Sequence, residues 1–495
     1  MTDFLAADIG AESGRVVAGR FADDRIDLHV LHRFPTGPVV LPDGLRVDVV
    51  GAHRGILEGI RRAADAGFRP ASLGIDTWGV SFALLDGGGA LLGLPVHYRD
   101  PGLAGRSAAA HAAVSSADLF AATGAQDLPF NTSVVLHGMR HASWFSAADR
   151  LLMLPDLLAY WLTGRATVER TNASTTQLFD SETNDWAWPV VDRLGLPRRL
   201  FRSPLVSPGA PVGRLRPGLD GSADRAPDLS VVAVGSHDTA SAVAAVPAEG
   251  TRWGYISSGT WSLVGVERPA PLKTPEARAA RLANEVGVGG RIRLLRNVMG
   301  LWLIQECRRW WEAEGDPVDY ETLSREAAAA PALAAWFDPD HPLLFPPGDM
   351  PARIRRLARE AGFPEPDSRG AVVRAAVDSL ALKYRYVIDL IASVAGEPVD
   401  TVHVVGGGAR NAVLCQATAD ACDRPVVAGP VEATALGNLL VQAEAAGLVD
   451  GLDGIRDVVR RSFAVERYEP AADRRRWDDA FAGFADLIAS TPRTA

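Results

Sequence analysis

One local pattern occurs twice in the chain and restricts the folds open to it. Phe4–Ile9 and Arg15–Phe21 are apolar runs with strand character, joined by the polar turn Gly10-Ala11-Glu12-Ser13-Gly14. Trp253–Ser257 and Trp261–Glu267 repeat the arrangement around Ser258-Gly259-Thr260. Ile26–Phe34 is a third strand after the first hairpin, and Arg291–Leu295 reads as a strand further along the second half. Strand–turn–helix units come next. In the first half these include a helix over His53–Ala66, a strand over Leu73–Gly79, and a strand over Val231–Val234 that runs into a helix from Thr239. In the second half they are a helix over Ala371–Ala392, a strand over Thr401–Val405, a helix over Asn411–Cys422, a strand over Val426–Val431 and a helix over Ala433–Ala445. Two halves with the same grammar predict an α/β protein built by internal duplication. A chain of 495 residues is long enough for two such domains, 1–245 and 246–495.

Bulk properties exclude several classes of function. A net charge of -9 argues against a nucleic-acid or anionic-membrane surface. No stretch is long and apolar enough to span a bilayer. Asp3 and Asp8 interrupt the only early apolar run and no basic segment precedes it, so no secretory signal is expected. Three unclustered cysteines, Cys307, Cys415 and Cys422, fit a reducing cytoplasm, and Cys415 and Cys422 are spaced for one buried helix face. His137 and His141 have helical spacing without the glutamate of a zinc-protease motif, which predicts a surface helix. Arg353, Arg356 and Arg359 predict a solvated helix face.

The chemistry-bearing residues fall in turns at strand ends. Asp238 lies where the strand Val231–Val234 gives way to a helix, a place where open α/β sheets expose functional groups. A carboxylate there can act as a general base, while the alternative is that Ser236 or Asp238 only caps the helix. Gly10–Gly14 lets backbone N–H groups approach an anion, Arg15 can add a charge, and Asp8 can face a metal-bound water. Asp76 and Trp78 suit contact with a polyol, or else are a turn aspartate beside a core tryptophan. Thr171–Thr176 reads as a hydroxyl-rich loop, Leu151–Thr163 as a helix with Pro155 near its start and Gly164 at its end, and Pro204–Pro227 as a surface crossing. A helix over Met299–Trp311 has Asn297 just ahead of it and Gln305 within. Gly406-Gly407-Gly408 between strand and helix is a phosphate-approach geometry. It lacks the further glycine spacing of a dinucleotide fingerprint, and neither lysine, Lys273 or Lys383, follows a glycine as a Walker A loop requires. Glycine turns plus a carboxylate are the parts of a phosphoryl transferase without a P-loop.

Six stretches together carry a family resemblance: Ile75-Asp-Thr-Trp-Gly79, Pro129-Phe-Asn-Thr132, Ser236-His-Asp-Thr-Ala-Ser-Ala242, Ser257-Ser-Gly-Thr-Trp-Ser262, Asn297-Val-Met-Gly-Leu-Trp302 and Gly429-Pro-Val-Glu-Ala433. In these the chain resembles the FGGY carbohydrate kinases of the actin/hexokinase/Hsp70 ATPase superfamily, and within them the members that act on L-rhamnulose. The resemblance covers nearly the whole chain. It implies two ribonuclease-H-like domains with an interdomain cleft, the first for the sugar and the catalytic aspartate, the second for the nucleotide. Asp238 matches the family's catalytic base, taking the proton of a ketose 1-hydroxyl as that oxygen attacks the γ-phosphate of ATP with Mg²⁺. Ala11, Glu12, Ser13, Gly14, Arg15, Thr260, Asn297, Gln305 and Gly407 match nucleotide-binding positions, and Gly79, His237 and Thr239 match sugar-binding ones. L-fuculose or xylulose is the alternative substrate, and a non-catalytic sugar- or nucleotide-binding regulator the alternative class. Three positions depart from the pattern: Ser81 where aspartate is common, Val47 where tryptophan is usual before Asp48, and Val286 where glycine is usual. Ser81 and Val47 bear on which sugar is taken more than on the chemistry.

Overall fold

The computed structural model describes residues 1–219, 226 and 228–490. Packing divides the chain into two units. The first comprises Met1–Pro247, Glu267–Leu294 and Ala433–Phe463, the second Ala248–Val266, Leu295–Glu432 and Ala464–Ala495. Two segments beyond residue 246 therefore pack with the first unit.

The chain opens with an antiparallel meander, β1 (Thr2–Ile9), β2 (Ser13–Ala22) and β3 (Arg25–Pro35). Helix α1 (Val49–Asp65) follows, its first turn capped by Asp48, which accepts from the Gly51 N–H at 2.8 Å. Strand β4 (Pro70–Thr77) lies parallel to β1. Then come α2 (Thr132–Met139) and α3 (Leu154–Thr163), the latter with Pro155 in its first turn and Gly164 at φ 75° past its end. Strand β5 (Pro211–Arg214) turns antiparallel into β6 (Ser230–Val232), which runs parallel to β4 and leads to the short helix α4 (Asp238–Ala244).

Beyond α4 the hairpin β7 (Trp253–Ser258) and β8 (Trp261–Arg268) starts the pattern again. Strands β9 (Ala283–Val286) and β10 (Ile292–Met299) and helix α5 (Trp302–Ala313) come next. The long helix α6 (Arg369–Ala395) begins at the cap Ser368 and stops at Gly396, which has φ 68°. The remaining elements are β11 (Thr401–Val405), α7 (Ala412–Cys422), β12 (Val426–Ala428), α8 (Ala433–Ala445), α9 (Gly451–Ser462) and β13 (Glu466–Tyr468).

The two sheets share one strand order. The first contains β3-β2-β1-β4-β6, with β5 outside β6, and the second contains β10-β8-β7-β11-β12, with β13 outside β12. In both, a hairpin is joined through its first strand to parallel neighbours. The duplication expected from the repeated hairpin is therefore present in the fold. In the first sheet Phe4, Leu5, Ala6 and Ala7 are all fully buried, as expected of a strand covered on both faces. Helix α1 packs on β2 and β3, and α8 packs on β1 and β4.

Local structure departs from the sequence expectation in several places. Thr171–Thr176 is not a loop but a helical turn, Arg170–Ala173, continued by a 3₁₀ turn, Ser174–Thr176. Glu169 accepts from the Thr171 and Asn172 N–H groups, and the hydroxyls of Ser174, Thr175 and Thr176 each donate back to the carbonyl three residues earlier. These side chains serve the orphan groups of a short helix from within. Helix α5 starts at Trp302 rather than Met299, because the apolar run Val298–Met299 continues β10; Asn297 is thus a strand residue. The helix carrying His137 is buried, and His137 Nδ1 lies 2.9 Å from the Leu194 carbonyl, while His141 falls outside it. The crossing Pro204–Pro227 contains Leu205–Val206 and β5, and its residues 220–225 and 227 lie outside the described residues. Cys415 and Cys422 are buried on α7, and the ion pairs Arg356–Glu360 and Arg359–Glu365 are exposed. Among the described residues no helix is long and apolar enough to cross a membrane.

The crossing of α4 and α8 is set by Gly437, where a β-carbon would sit 1.8 Å from the Ser241 carbonyl oxygen. Gly437→Ala gains about 1 kcal/mol of helix propensity but forces two backbones apart. Overpacking of this kind costs roughly 1–3 kcal/mol, and here the obstacle is rigid main chain. A lowered thermal unfolding midpoint is expected, and an equal or higher one would show that the helices separate freely.

Candidate active site

Strand register brings three carboxylates together in the first unit. Asp8 and Asp76 are direct partners at the ends of the parallel strands β1 and β4. Past the end of β6 the chain stays paired with β4, since Thr77 N donates to Ser236 O at 2.9 Å and Thr77 bridges His237. Asp238 is the next residue, so it reaches the same carboxyl edge.

The three carboxylates have different surroundings. Asp8 Oδ2 accepts from Arg15 Nε at 2.9 Å and from its terminal nitrogen at 2.6 Å. Asp76 is fully buried; its Oδ2 accepts from Asn438 Nδ2 at 2.6 Å and its Oδ1 has no partner. Burial pushes the Asp76 carboxyl well above the ordinary aspartate range, the charges of Asp8 and Asp238 push it the same way, and the Asn438 amide opposes them. The Asp238 side chain is 29% exposed, the most accessible of the three. Its Oδ1 accepts from the Thr239 N–H at 2.5 Å and the Thr239 hydroxyl at 3.1 Å, and lies 3.5 Å from His237 Nε2. Desolvation raises its pKa; His237 pulls it down, Asp8 raises it further, and Thr239 lowers it.

Asp238 is the first residue of α4, and the capping position belongs to His237, whose side chain makes no cap hydrogen bond. The Asp238 carboxylate nevertheless accepts the first-turn Thr239 N–H, so it serves the helix start from the position after the cap.

His237 is held from behind. Its Nδ1 lies 3.2 Å from Glu285 Oε2 and 3.1 Å from the Arg293 guanidinium, and Arg293 also reaches Glu285 at 3.1 Å and donates to the Val286 carbonyl. Burial acts to raise Glu285, but His237 and Arg293 hold its carboxyl below the ordinary value. Glu169, buried at 1% exposure, accepts from Ser236 N at 3.1 Å and Ser236 Oγ at 2.7 Å while also capping the 170–173 turn. One carboxylate thus fixes both the loop before Asp238 and the helical turn beside it.

The other expected sugar-site residues lie on the same edge. Gly79 follows β4 and packs so closely on Thr175 that a β-carbon would come within 2.8 Å of its methyl group. Asp76 touches protein on every side, and Trp78 is buried with its indole N–H donating to Ser81 Oγ at 2.8 Å. Val47 and Val286 are core residues.

The expected nucleotide residues divide between the units. Ala11 and Glu12 form the β1–β2 turn of the first unit, and Ser13, Gly14 and Arg15 open β2. There Gly10 N donates to Ser13 O, and Gly14 leaves room for the Phe34 ring, 2.4 Å from where a β-carbon would be. In the second unit Gly259 N donates to Trp261 O, and the Gly259 and Thr260 carbonyls accept from Leu301 and Trp302. The hairpin turn is thereby tied to the junction between β10, which carries Asn297, and α5, which carries Gln305. Gln305 Oε1 is buried without a partner. Gly406–Gly408 pack against Ser258, with the Gly408 β-position 2.0 Å from Ser258 Oγ. Thr260 and Gly407 therefore sit on adjoining turns at the carboxyl ends of β7 and β11.

Sequence reasoning missed Glu169, Glu285, Arg293, Asn438 and Gln442. Only the last two leave a signal, two amides four residues apart on an otherwise apolar helix. Gln442 Nε2 donates to Asn438 Oδ1 and to Leu5 O, and Ser72 donates to Gln442 Oε1, which makes a buried polar ladder ending at Asp76.

Comparison with known proteins agrees with this geometry. The N-terminal domain of the FGGY family of carbohydrate kinases matches residues 66–245 and its C-terminal domain matches residues 254–446. A rhamnulokinase of Bacteroides thetaiotaomicron is 40% identical over 488 residues, covering 98% of this chain and 99% of that protein. A rhamnulokinase of Pectobacterium atrosepticum is 40% identical over 475 residues, 95% of this chain and 94% of that one. Among solved structures, a xylulose kinase from Lactobacillus acidophilus superposes with TM-score 0.78 at 15% identity, over 99% of this chain and 97% of that one. A Plasmodium falciparum glycerol kinase with ADP does so with TM-score 0.77 at 16% identity, over 100% and 99%. At such identities the structures establish the two-domain kinase fold, while the matches in sequence establish the lineage. The chain belongs to the FGGY family of carbohydrate kinases.

Proposed function

We propose that the protein transfers the γ-phosphate of ATP to the 1-hydroxyl of L-rhamnulose, giving L-rhamnulose 1-phosphate and ADP, as a cytoplasmic step of L-rhamnose breakdown. The observation that carries this reading is Asp238, an accessible carboxylate at the carboxyl edge of a parallel sheet, in a chain 40% identical to rhamnulokinases over almost its whole length.

Asp238 takes the hydroxyl proton, the freed oxygen attacks the γ-phosphorus, and the β–γ bridging oxygen departs with ADP. Gly79, His237 and Thr239 hold the sugar, and Glu285 and Arg293 hold His237. Ala11, Glu12, Ser13, Gly14, Arg15, Thr260, Asn297, Gln305 and Gly407 receive the nucleotide, largely through backbone N–H groups at glycine turns. Among the described residues no three His, Cys, Asp or Glu side chains are grouped to cage a metal. Mg²⁺ keeps its waters and phosphate oxygens and asks only one or two carboxylates of the protein, a demand supported by Asp8 lying beside Asp76 at the carboxyl edge of the sheet. Asp8 would hold it through water, and the ion would neutralise phosphate charge.

Three outcomes are expected. Across a ketose panel in an ADP-release assay, L-rhamnulose is the best acceptor; a preference for xylulose or L-fuculose would reassign the sugar, and ketose binding without turnover would point to a regulator. Asp238→Asn keeps its contact with Thr239 and so unfolds at the wild-type temperature, while kcat drops roughly 10²–10⁴-fold. Because the base works ionised and its pKa is raised, wild-type kcat/KM falls as the pH drops, with a midpoint above the ordinary aspartate value of about 3.9. The variant lacks that acid limb, and a full-activity, folded Asp238→Asn protein would refute the assignment.

Gly259→Val tests the nucleotide turn. A β-carbon at Gly259 meets nothing nearer than the Trp261 carbonyl oxygen at 3.7 Å, so the fold accepts a side chain there. The KM for ATP is expected to rise at least about tenfold, equivalent to about 1.4 kcal/mol, with unchanged thermal stability. Unaltered ATP use would remove this turn from the nucleotide site.

Ser81→Asp places a carboxylate where Trp78 now donates to a hydroxyl. It is expected to change the order of preference within the ketose panel while phosphorylation persists. Identical relative kcat/KM values would show that position 81 does not reach the sugar.

A further inference from the structure

Val80 has φ 62°, and among the described residues it is the one β-branched side chain in the left-handed region. Asp and Asn tolerate that region, and four of the eight non-glycine residues found there are of those types. A branched β-carbon does not. The hydrogen bond from Ser81 N to Gly79 O, 2.8 Å across Val80, closes a γ-turn, a strained form when its central residue has positive φ.

Such a conformation persists only where its surroundings over-determine it. Both backbone groups of Val80 are held by threonine hydroxyls from other elements. Val80 N donates to Thr175 Oγ1 at 2.8 Å, and Thr132 Oγ1, at the start of α2, donates to Val80 O at 2.7 Å. Both threonines are buried. Val80 itself is only half-buried, so core packing of its side chain does not explain the turn.

The clamp is also connected to the Asp238 turn. Thr175 Oγ1 donates to the Asn172 carbonyl, Asn172 Nδ2 donates to the Ser236 carbonyl at 3.1 Å, and Ser236 is two residues from Asp238. The methyl of Thr175 lies against Gly79. The strained peptide following β4 and the base following β6 are therefore fixed in one hydrogen-bonded frame.

We propose that Thr175 and Thr132 are positioning residues for the sugar: they hold Val80 in the left-handed turn so that the Gly79–Val80 main chain faces a ketose whose hydroxyl is presented to Asp238. The proposal rests on the ketose-kinase reading above. It differs from a purely structural role because relaxing the turn leaves the fold intact and loosens only the sugar.

The test combines three variants with separate readouts for the two substrates. Val80→Gly adopts the same φ without strain and keeps both threonine clamps on its backbone, so its unfolding midpoint and its ketose affinity stay near wild type. Thr175→Val keeps shape but removes the hydroxyl; its KM for the preferred ketose, and the ketose Kd measured without ATP, rise roughly 10–100-fold, the scale of a small misplacement. The KM for ATP does not move, and Thr175→Ser recovers most of the loss. Wild-type ketose affinity in Thr175→Val would overturn the proposal. So would parallel losses for ketose and ATP accompanied by a lower midpoint, which mark a structural role. A wild-type protein that phosphorylates no ketose in the panel defeats the underlying function instead, an outcome read before any variant is made.

Discussion

Three carboxylates gather at the carboxyl edge of three adjacent parallel strands of the first sheet, two at strand ends and Asp238 at the helix start past β6, and their mutual repulsion is the constraint their surroundings must answer. Strand pairing leaves no freedom here, because the register that aligns β1 with β4 also sets Asp8 beside Asp76. Each carboxylate is made tolerable differently. Asp8 has a charged partner in Arg15, Asp76 has only the neutral amide of Asn438, and Asp238 has solvent on one side with His237 and Thr239 on the other. Environments that separate the pKa values of neighbouring acids also separate their roles. Asp76 is the buried member, its carboxyl raised by desolvation and by the charges of Asp8 and Asp238. Asp238 is the member whose carboxylate solvent reaches.

A second set of buried charges serves the same end at one remove. Glu169 and Glu285 approach the His237–Asp238 turn from opposite sides in the chain, one ahead of it and one after. Glu169 fixes Ser236 through two hydrogen bonds, and Glu285 fixes His237 together with the fully buried Arg293. Buried ionic groups of this kind add little net stability, and removing one partner is expensive. Their worth here is geometric, since each restrains a residue within two positions of Asp238.

The repeated hairpins, the glycine turns and the strand-to-helix turn at Asp238 were legible because each is written in consecutive residues. The alternation of apolar runs set the strands to within a few positions, and the duplication followed from their order. What was illegible depends on contacts across the chain. Asn438 meets Asp76 across 362 positions, and Glu169 meets Ser236 across 67. No local pattern announces such a partner. The 171–176 segment misleads for a related reason. Its hydroxyl-rich composition is that of a loop, but the hydroxyls are spent on its own backbone under a glutamate cap. The return of 267–294 and 433–463 to the first unit is likewise a property of packing, with no change of composition to mark it.

The glycines of the second unit separate folding from function more finely than the sequence does. Gly408 is required by the fold, since any side chain would collide with Ser258, and Gly406 is required by its φ of 82°. Gly407 and Gly259 are required by neither. Their β-positions meet nothing nearer than 3.9 Å and 3.7 Å, and neither has a left-handed φ. A glycine in open space with ordinary backbone geometry raises the entropy lost on folding and returns no packing benefit. The economical reason to keep one at the carboxyl end of a parallel strand is that something must approach the main chain there. Two such glycines on adjoining turns leave the main chain open to close approach at the carboxyl ends of β7 and β11.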